Sequence, residues 1–390
     1  MKRYNFILIL LAILTQVGCN KEVNQSGTEW GDVNVPLDPS KHYIHFDADI
    51  KTRGALIEGS LLNNKFAVVG YQHRGNWEAE EVLAAPNVFE TTPQIITYAD
   101  GIFSYSPMRV WSGNKYSFFG YYPADNNNVT LTATQGTPYI TYTLPEDNDP
   151  TKLIDVMTAD YIDTGVAASA SVAMPFRHRL CAIDVGARNY YEYNHDGDAT
   201  TPNKDVTIEI TRLVVNLSNI VNTSAKIYLD HNHTPPMEFP AQQSKATRVY
   251  AMVDINTPWA VKTFDVIPNT ASDRAIRLIT NQSGQNASSM LFIPQTELVT
   301  GKLDITYKKK YKKDDLLDDE VAENWVYLHE GNNENDFDFT PTDLDINFTK
   351  QLIEGRRYYI ELTFTSDAVS VNIIAADEWN TIPDVKHEFE

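Results

Sequence analysis

Cysteine is nearly absent from this chain, whose 390 residues include only Cys19 and Cys181. At most one intrachain disulfide can form, and none forms if Cys19 carries another modification. A disulfide framework is therefore excluded, and the fold has to be held together by its hydrophobic core. Cys181 lies in an apolar, strand-like run, which favours a buried and unreactive thiol over a catalytic one.

Positive charge is also scarce, because 32 Lys and Arg residues face 52 Asp and Glu residues, giving a formal net charge of −20 at pH 7. Such a chain repels the phosphates of nucleic acid, so nucleic acid is excluded as a partner. The negative charge suits a soluble, self-repelling surface protein. Hydrophobic residues make up 42% of the chain, which is enough to build sizeable cores.

Catalytic motifs are missing as well. The sequence has no Gly-rich phosphate loop, no Gly-x-Ser-x-Gly elbow and no His-Glu-x-x-His helix. His231 and His233 could form half of a metal site, but the Thr-Pro-Pro sequence that follows them favours an exposed turn. His178 is predicted to be a structural histidine, hydrogen-bonded near the edge of the core. We predict no catalytic residue, no metal and no cofactor, and we do not expect an enzyme.

Long apolar runs are absent. A short apolar run lies near the N terminus, at residues 7–14. Lys2 and Arg3 precede this run and Gly18 follows it, which is typical of a secretory signal. The run is too short to remain as a membrane-spanning helix. Cys19 directly after Gly18 is typical of an acylated bacterial lipoprotein, although Gln16 departs from the usual aliphatic residue. We predict a signal peptide at residues 1–18 and lipidation of Cys19; the alternative is ordinary secretion.

Beyond a polar tether at residues 19–42, the chain is dominated by short strand patterns. An apolar run at residues 66–71 predicts a buried strand. Two runs at residues 95–98 and 102–105, joined by a turn with Asp-Gly, predict a hairpin. Helical turns are expected only near residues 77–83 and 155–160.

Many short strands with frequent turns predict antiparallel β-sandwiches, and so an all-β fold. The small-residue stretch at residues 165–172 predicts a domain seam. We therefore expect an N-terminal β-sandwich domain at residues 43–172 and a C-terminal β-sandwich domain at residues 173–390.

Several short motifs follow one another in a specific order along the chain. They are Cys19, Thr52-Arg53, the Tyr-x-Phe-x-Gly-Tyr-Tyr-Pro sequence at residues 116–123, the Asp-x-Met sequence at 155–157, the Phe-x-His-x-Leu sequence at 176–180, and the Gly-x-x-Tyr sequence at 355–358 before a terminal hairpin ending in Trp379. This order resembles the fimbrillin-like family, the pilins of type V pili in Gram-negative bacteria. The resemblance spans nearly the whole mature chain.

The resemblance implies two transthyretin-like, Greek-key antiparallel β-sandwich domains. It also implies export as a lipoprotein, a lipid anchor in the outer membrane and surface display in a fimbrium. The subunit would be a structural pilin or a tip adhesin, and other pilin subunits would be its partners.

Assembly in this family implies a processing step. An Arg-specific protease would cleave between Arg53 and Gly54 and remove a strand within residues 43–53. The vacated sheet position would expose unpaired backbone groups and an apolar groove, which a neighbour's strand could fill. The C-terminal hairpin is the expected donor, with Trp379 as its candidate anchor or as a core residue of its own domain.

A second function class stays open from the sequence. A surface glycan-binding lipoprotein of a nutrient-uptake system is also built from β-sandwiches and would bind host or bacterial surface glycans. Exposed Tyr or Trp residues could stack on sugars, although the same residues are typical of a sandwich core. A glycan binder needs neither the processing site at Arg53 nor a donated strand, and these two features distinguish the hypotheses.

Overall fold

The computed structural model describes residues 42–50, 65–80, 85–99, 102–112, 114–133, 136–145, 153–164, 171–189, 192–193, 204–220, 222–240, 246–253, 259–262, 276–277, 290–312, 325–327, 342–364 and 369–376. Four predicted functional residues lie outside these ranges, namely Cys19, Arg53, Gly54 and Trp379. The predicted signal peptide and residues 19–41 of the tether lie outside them too. Within the described ranges, no helix has the length and apolarity needed to cross a membrane.

The fold is all-β, as predicted. The strands are β1 Phe46–Ile50, β2 Lys65–His73, β3 Gln94–Ala99, β4 Ile102–Ser104, β5 Lys115–Tyr122, β6 Val129–Thr132, β7 Tyr139–Thr143, β8 Met157–Thr164, β9 Val172–His178, β10 Cys181–Asn189, β11 Glu192–Tyr193, β12 Lys204–Ile220, β13 Ser224–Tyr228, β14 Met237–Glu238, β15 Ala246–Val253, β16 Trp259–Lys262, β17 Ile276–Arg277, β18 Met290–Phe292, β19 Val299–Lys312, β20 Trp325–Tyr327, β21 Thr342–Lys350, β22 Arg357–Phe364 and β23 Val369–Ala376. One helical turn, α1 Trp77–Glu80, lies where a turn was expected. The turn expected near residues 155–160 is wrong, because β8 begins there at Met157.

The first seven-stranded sheet contains most of the N-terminal strands, in the order β1-β9-β8-β5-β2-β3-β4. β3 and β4 pair antiparallel and form the predicted hairpin. β1 lies at one edge and pairs in parallel with β9, while the other neighbours in this sheet are antiparallel. A strand near the start of the chain is therefore held by a strand more than a hundred residues later.

Three further sheets complete the described part of the chain. β6, β7, β13 and β14 form a four-stranded sheet in the order β14-β13-β7-β6. β10 pairs in parallel with β22, and β22 pairs antiparallel with β23 along its whole length. The long strands β12 and β19 form the centre of the last sheet, with β11, β15 and β16 along β12 and with β20 and β21 along β19.

The central strands β2 and β5 of the first sheet are buried on both faces. Alternate residues of β5 belong to different cores: Phe118 packs in a smaller core with Phe66 and Phe176, and Phe119 packs in a larger core. Because both faces are covered, strands such as β2 and β5 read as continuous apolar runs rather than as alternating ones. The smaller core is the one that β1 helps to fill.

The predicted domain boundary between residues 172 and 173 falls at the first residue of β9, which belongs to the first sheet. β7 pairs with β13 across this boundary. The larger core also contains residues from both sides of it, including Phe119 and Leu362. Sheets and core therefore continue across residues 172 and 173, and separate folding of residues 43–172 and 173–390 stays a prediction.

Candidate functional site

The candidate site is the N-terminal segment, residues 42–50, together with the groove that it occupies. Its first residues lie antiparallel to residues 109–111. The backbone N–H of Ile44 donates to the carbonyl of Arg109 at 2.8 Å, and the carbonyl of His42 accepts from the N–H of Trp111 at 2.9 Å. Backbone pairing thus holds the segment from its first described residue.

The segment changes its backbone partner after Ile44. The carbonyl of His45 accepts from the N–H of Val172 at 2.7 Å. β1 then runs parallel to β9, with Phe46 opposite Val172 and Ile50 opposite Phe176. The nine residues therefore connect two different parts of the first half of the chain.

Three alternate residues of the segment, Ile44, Phe46 and Ala48, belong to the smaller core. Ile44, Phe46 and Ala48 are 0%, 4% and 7% exposed. Asp47 between them is exposed, and His45 is half-buried. This period of two is the pattern of a strand with one buried face. Burial of the Ile44 and Phe46 side chains contributes about 1.5–3 kcal/mol each.

Phe46 lies in a cluster of aromatic rings. Its ring centroid is 5.2 Å from that of Phe118, 5.7 Å from that of Tyr105 and 6.3 Å from that of Phe89. The planes of Phe46 and Phe118 meet at 89°, which is the favoured edge-to-face arrangement. The rings of Phe89, Tyr105 and Phe118 form three walls of the groove, and Phe46 fills the space between them.

The Tyr105 hydroxyl holds the segment through its backbone. It donates to the carbonyl of Ile44 at 3.0 Å and accepts from the N–H of Arg109 at 3.3 Å. Burial raises the pKa of Tyr105 well above its ordinary value of 10.0, so the hydroxyl stays a neutral donor at physiological pH. Burial likewise lowers the pKa of His45 below 6.5, which favours its neutral form at pH 7.

His178 is structural, as predicted. Its Nδ1 is hydrogen-bonded to Oδ2 of Asp155, and both side chains are buried. His231 lies in a turn, as predicted. The predicted exposure is wrong, because the His231 side chain is only 4% exposed. Nδ1 of His231 is 2.9 Å from Oδ1 of Asp160, and Nε2 is 2.9 Å from the Thr158 hydroxyl. The imidazole is thereby engaged within the protein.

Cys181 is also confirmed as a buried thiol. It is a free cysteine with no exposed surface. Its Sγ donates to the carbonyl of Phe292 at 3.2 Å. Burial raises the pKa of the Cys181 thiol well above its ordinary value, which keeps it protonated and unreactive.

Aromatic rings cluster on the outer face of the β14-β13-β7-β6 sheet. They are relevant to the hypothesis of glycan binding, in which exposed aromatic rings would stack on sugars. The Tyr228 and His233 rings stack at 3.5 Å between centroids. The Lys226 ammonium lies 4.3 Å from the centroid of Tyr139 and 4.4 Å from that of Tyr228. Glu238 accepts hydrogen bonds from both Lys226 and Tyr228. Both tyrosine rings are therefore already in contact with side chains of their own chain.

Comparison with known families gives a match over most of the chain. The model of the fimbrillin-like family matches residues 60–377. The chain belongs to the fimbrillin-like family. Comparison of this fimbrillin-like chain with curated proteins gives no significant match.

One solved structure supports the fold of the fimbrillin-like chain. A fimbrial protein from Bacteroides vulgatus is similar at a TM-score of 0.57 and 17% identity, over 87% of this chain and 99% of that one. A candidate cell adhesion protein from Bacteroides ovatus aligns at a TM-score of 0.45 and 15% identity, over 88% of this chain and 99% of that one. A candidate cell adhesion protein from Bacteroides uniformis aligns at 0.40 and 13%, over 86% and 99%. At 17% identity the likeness to the fimbrial protein concerns the fold alone.

The fimbrillin-like chain brings together residues that sequence reasoning did not single out. Phe89, Tyr105 and Phe118 surround Phe46, although they come from separate parts of the chain, and residues 109–111 supply backbone partners. No local pattern marks such a cluster. The alternation of Ile44, Phe46 and Ala48 indicates a strand with one buried face, but it does not indicate which rings surround it.

Proposed function

We propose that this fimbrillin-like chain is a structural subunit or tip adhesin of a type V pilus, and that it polymerises by exchanging its N-terminal segment for a neighbour's strand. One observation supports this most strongly. The N-terminal segment supplies Ile44, Phe46 and Ala48 to the smaller core, and its strand β1, at the edge of the first sheet, ends three residues before Arg53.

Cleavage between Arg53 and Gly54 would leave the segment attached only by non-covalent contacts. Its departure would expose the rings around Phe46 and would leave backbone groups without partners, namely the carbonyl of Arg109, the N–H groups of Trp111 and Val172, and the groups of β9 that pair with β1. Apolar surface and unpaired backbone groups are both unfavourable in such a groove. A strand from another subunit removes both costs at once.

The donor is proposed to come from the C-terminal end of a neighbouring subunit. β23 pairs with β22 of its own chain from Val369 to Ala376. Donation therefore requires either that β23 leaves this sheet or that the residues after it extend into the neighbour. Trp379 lies in that following part and is the candidate anchor.

Export as a lipoprotein completes the proposal. Acylation at Cys19 would attach the subunit to the outer membrane and bring it to the surface, where an Arg-specific protease could act before assembly into the fimbrium. The supporting observation is the basic start, short apolar run and Gly-Cys sequence of residues 1–19. A Cys19→Ala variant should lose fatty-acid labelling and membrane association; unchanged labelling would contradict the lipid anchor.

The processing step is tested with Arg53→Lys, which keeps the positive charge but removes the arginine. We expect this variant to keep its N-terminal segment and to remain monomeric, as judged by intact mass and by electron microscopy of the surface fraction. Lys51→Ala is the matched control, because it changes a neighbouring cation and should be processed normally. Polymers formed at the normal rate by uncleaved Arg53→Lys would contradict strand removal as the switch and would favour the surface glycan-binding alternative.

A further inference from the structure

The groove under the N-terminal segment is not uniform along its length, and this bears on which strand can replace the segment. We infer that the groove selects an incoming strand with two large apolar residues followed by a small one, at alternate positions from the N to the C terminus. The inference rests on the proposed strand exchange and adds the pattern and the direction of the partner.

The first position is that of Ile44, which is completely buried. The carbonyl of Ile44 accepts a hydrogen bond from the Tyr105 hydroxyl at 3.0 Å, and the N–H of Ile44 donates to the carbonyl of Arg109 at 2.8 Å. These two bonds recognise the backbone of any residue there. The side chain has to be apolar, because moving a charged group from water into this apolar core is costly.

The second position is that of Phe46, and it is the widest. Phe89, Tyr105 and Phe118 surround it with ring centroids 5.2–6.3 Å away. A small side chain would leave a cavity between three rings, which is destabilising because the rings cannot collapse fully into it. A large apolar residue is therefore required.

The third position is that of Ala48, and it is narrow. Ala48 is 7% exposed and is the register partner of Met174, which is completely buried in the same core. Met174 is already tightly packed, since its terminal methyl would lie 2.8 Å from a Cβ placed on Gly120. A large residue at this position would overpack the core.

The backbone partners fix the direction. β1 is parallel to β9, and the residues before it are antiparallel to residues 109–111. A strand entering in the opposite direction would bring its first large residue to the narrow position. The groove therefore distinguishes the order of large and small residues along the incoming strand.

Two segments near the C terminus of a second copy give opposite predictions. Residues 369–377, aligned with residues 42–50, place Val371, Ile373 and Ala375 at the three positions, which matches the pattern. Residues 375–383 place Trp379 at the wide position, but they bring Asp377 to the first position and Thr381 to the third. We therefore expect the first segment to bind and the second to bind poorly, in which case β23 itself is the donated strand and Trp379 is not its anchor.

The test uses the mature chain with a unique protease site in place of residues 51–56, folded first and then cut. Fluorescent peptides are added, and binding is followed by polarisation. The peptide of residues 42–50 is the reference, and its Asp47→Asn form is the matched control at an exposed position. We expect the Phe46→Ala and Ala48→Phe peptides to bind at least about tenfold more weakly than the reference.

A compensating pair of substitutions, one in the protein and one in the peptide, makes this test more specific. In a Met174→Ala protein, the Ala48→Phe peptide should recover binding relative to the unchanged peptide, because the narrow position is enlarged. Equal binding of all peptides, or tighter binding of residues 375–383 than of residues 369–377, would overturn the size pattern while leaving strand exchange intact. If the reference peptide itself fails to replace the cut segment, the groove does not exchange strands and the proposed function fails as well.

Discussion

The phenyl ring of Phe348 lies over the α-carbon of Gly301, its register partner on β19. A Cβ built on Gly301 would lie 1.9 Å from Cζ of this ring and 2.3 Å from Cε1. Glycine at this position therefore makes room for an aromatic ring on the neighbouring strand, and the fit between the two residues can be tested.

We expect Gly301→Ala to lower the free energy of unfolding by about 1–3 kcal/mol, because the ring has to move away. Urea unfolding followed by circular dichroism measures the effect. In a Phe348→Ala background the same substitution should cost much less, since the obstructing ring is gone. An equal cost in both backgrounds would show that the ring is not the cause.

Arg357 and Asp184 form a buried ion pair between the parallel strands β22 and β10. The guanidinium Nε donates to Oδ2 of Asp184, and the two side chains are 4% and 0% exposed. Arg357→Met should cost about 3–5 kcal/mol of unfolding free energy, because it leaves a buried carboxylate without this partner. The exposed pair of Lys65 and Asp125 gives the control, and Lys65→Met should cost about 1 kcal/mol or less.

The Asp160 carboxylate is expected to make the free energy of unfolding depend on pH in the acid range. Burial alone would raise the pKa of Asp160, but hydrogen bonds and charge from His231, together with the charge of Arg177, lower it below its ordinary value of 3.8. A carboxylate with a lowered folded-state pKa stabilises the protein above its unfolded-state pKa, and this contribution is lost as pH falls through the folded-state value.

Asp160→Asn should therefore reduce stability at pH 7 and flatten the loss of stability on acidification below about pH 4. Urea unfolding at a series of pH values measures this slope. Asp125→Asn removes a carboxylate at an exposed site and serves as the control. An acid slope unchanged in Asp160→Asn would contradict the assigned role of the His231 contact.

Phe46→Ala tests the aromatic contact that holds the N-terminal segment. Loss of a buried phenyl ring from a core costs about 3–5 kcal/mol, so a segment cut after residue 53 should dissociate faster from this variant. Gel filtration of the cut protein gives the fraction of segment retained over time. Asp47→Ala changes an exposed neighbour and should not alter retention, and equal retention by Phe46→Ala would show that the ring does not anchor the segment.

The strands themselves were predictable from local sequence, whereas their partners were not. The apolar run around Phe66 predicted a buried strand, and β2 is buried on both faces. The parallel pairing of β1 with β9 and of β10 with β22 joins segments far apart in the chain, and no periodicity within either strand encodes it. His231 was predicted to be exposed for the same reason, because its partner Asp160 lies 71 residues away.

The candidate site was predictable only in part. A strand was expected within residues 43–53, and the structure has β1 at Phe46–Ile50, with Tyr43 in an isolated bridge to Val110. The change of backbone partner between Ile44 and Phe46 was not predicted. That change depends on residues 109–111 and on Val172, whose sequences carry no mark of a shared neighbour.

The parallel register of β1 and β9 has a mechanical consequence for a fibre assembled in the proposed way. A strand donated from a neighbour's C-terminal end is joined to that neighbour through its own N-terminal end. β9 is joined to the strands that follow it through His178, at its C-terminal end. Tension between subunits would then pull the two parallel strands from opposite ends. The hydrogen bonds between them would be loaded in shear, all at the same time, instead of breaking one after another. A junction of this geometry resists being peeled open under flow.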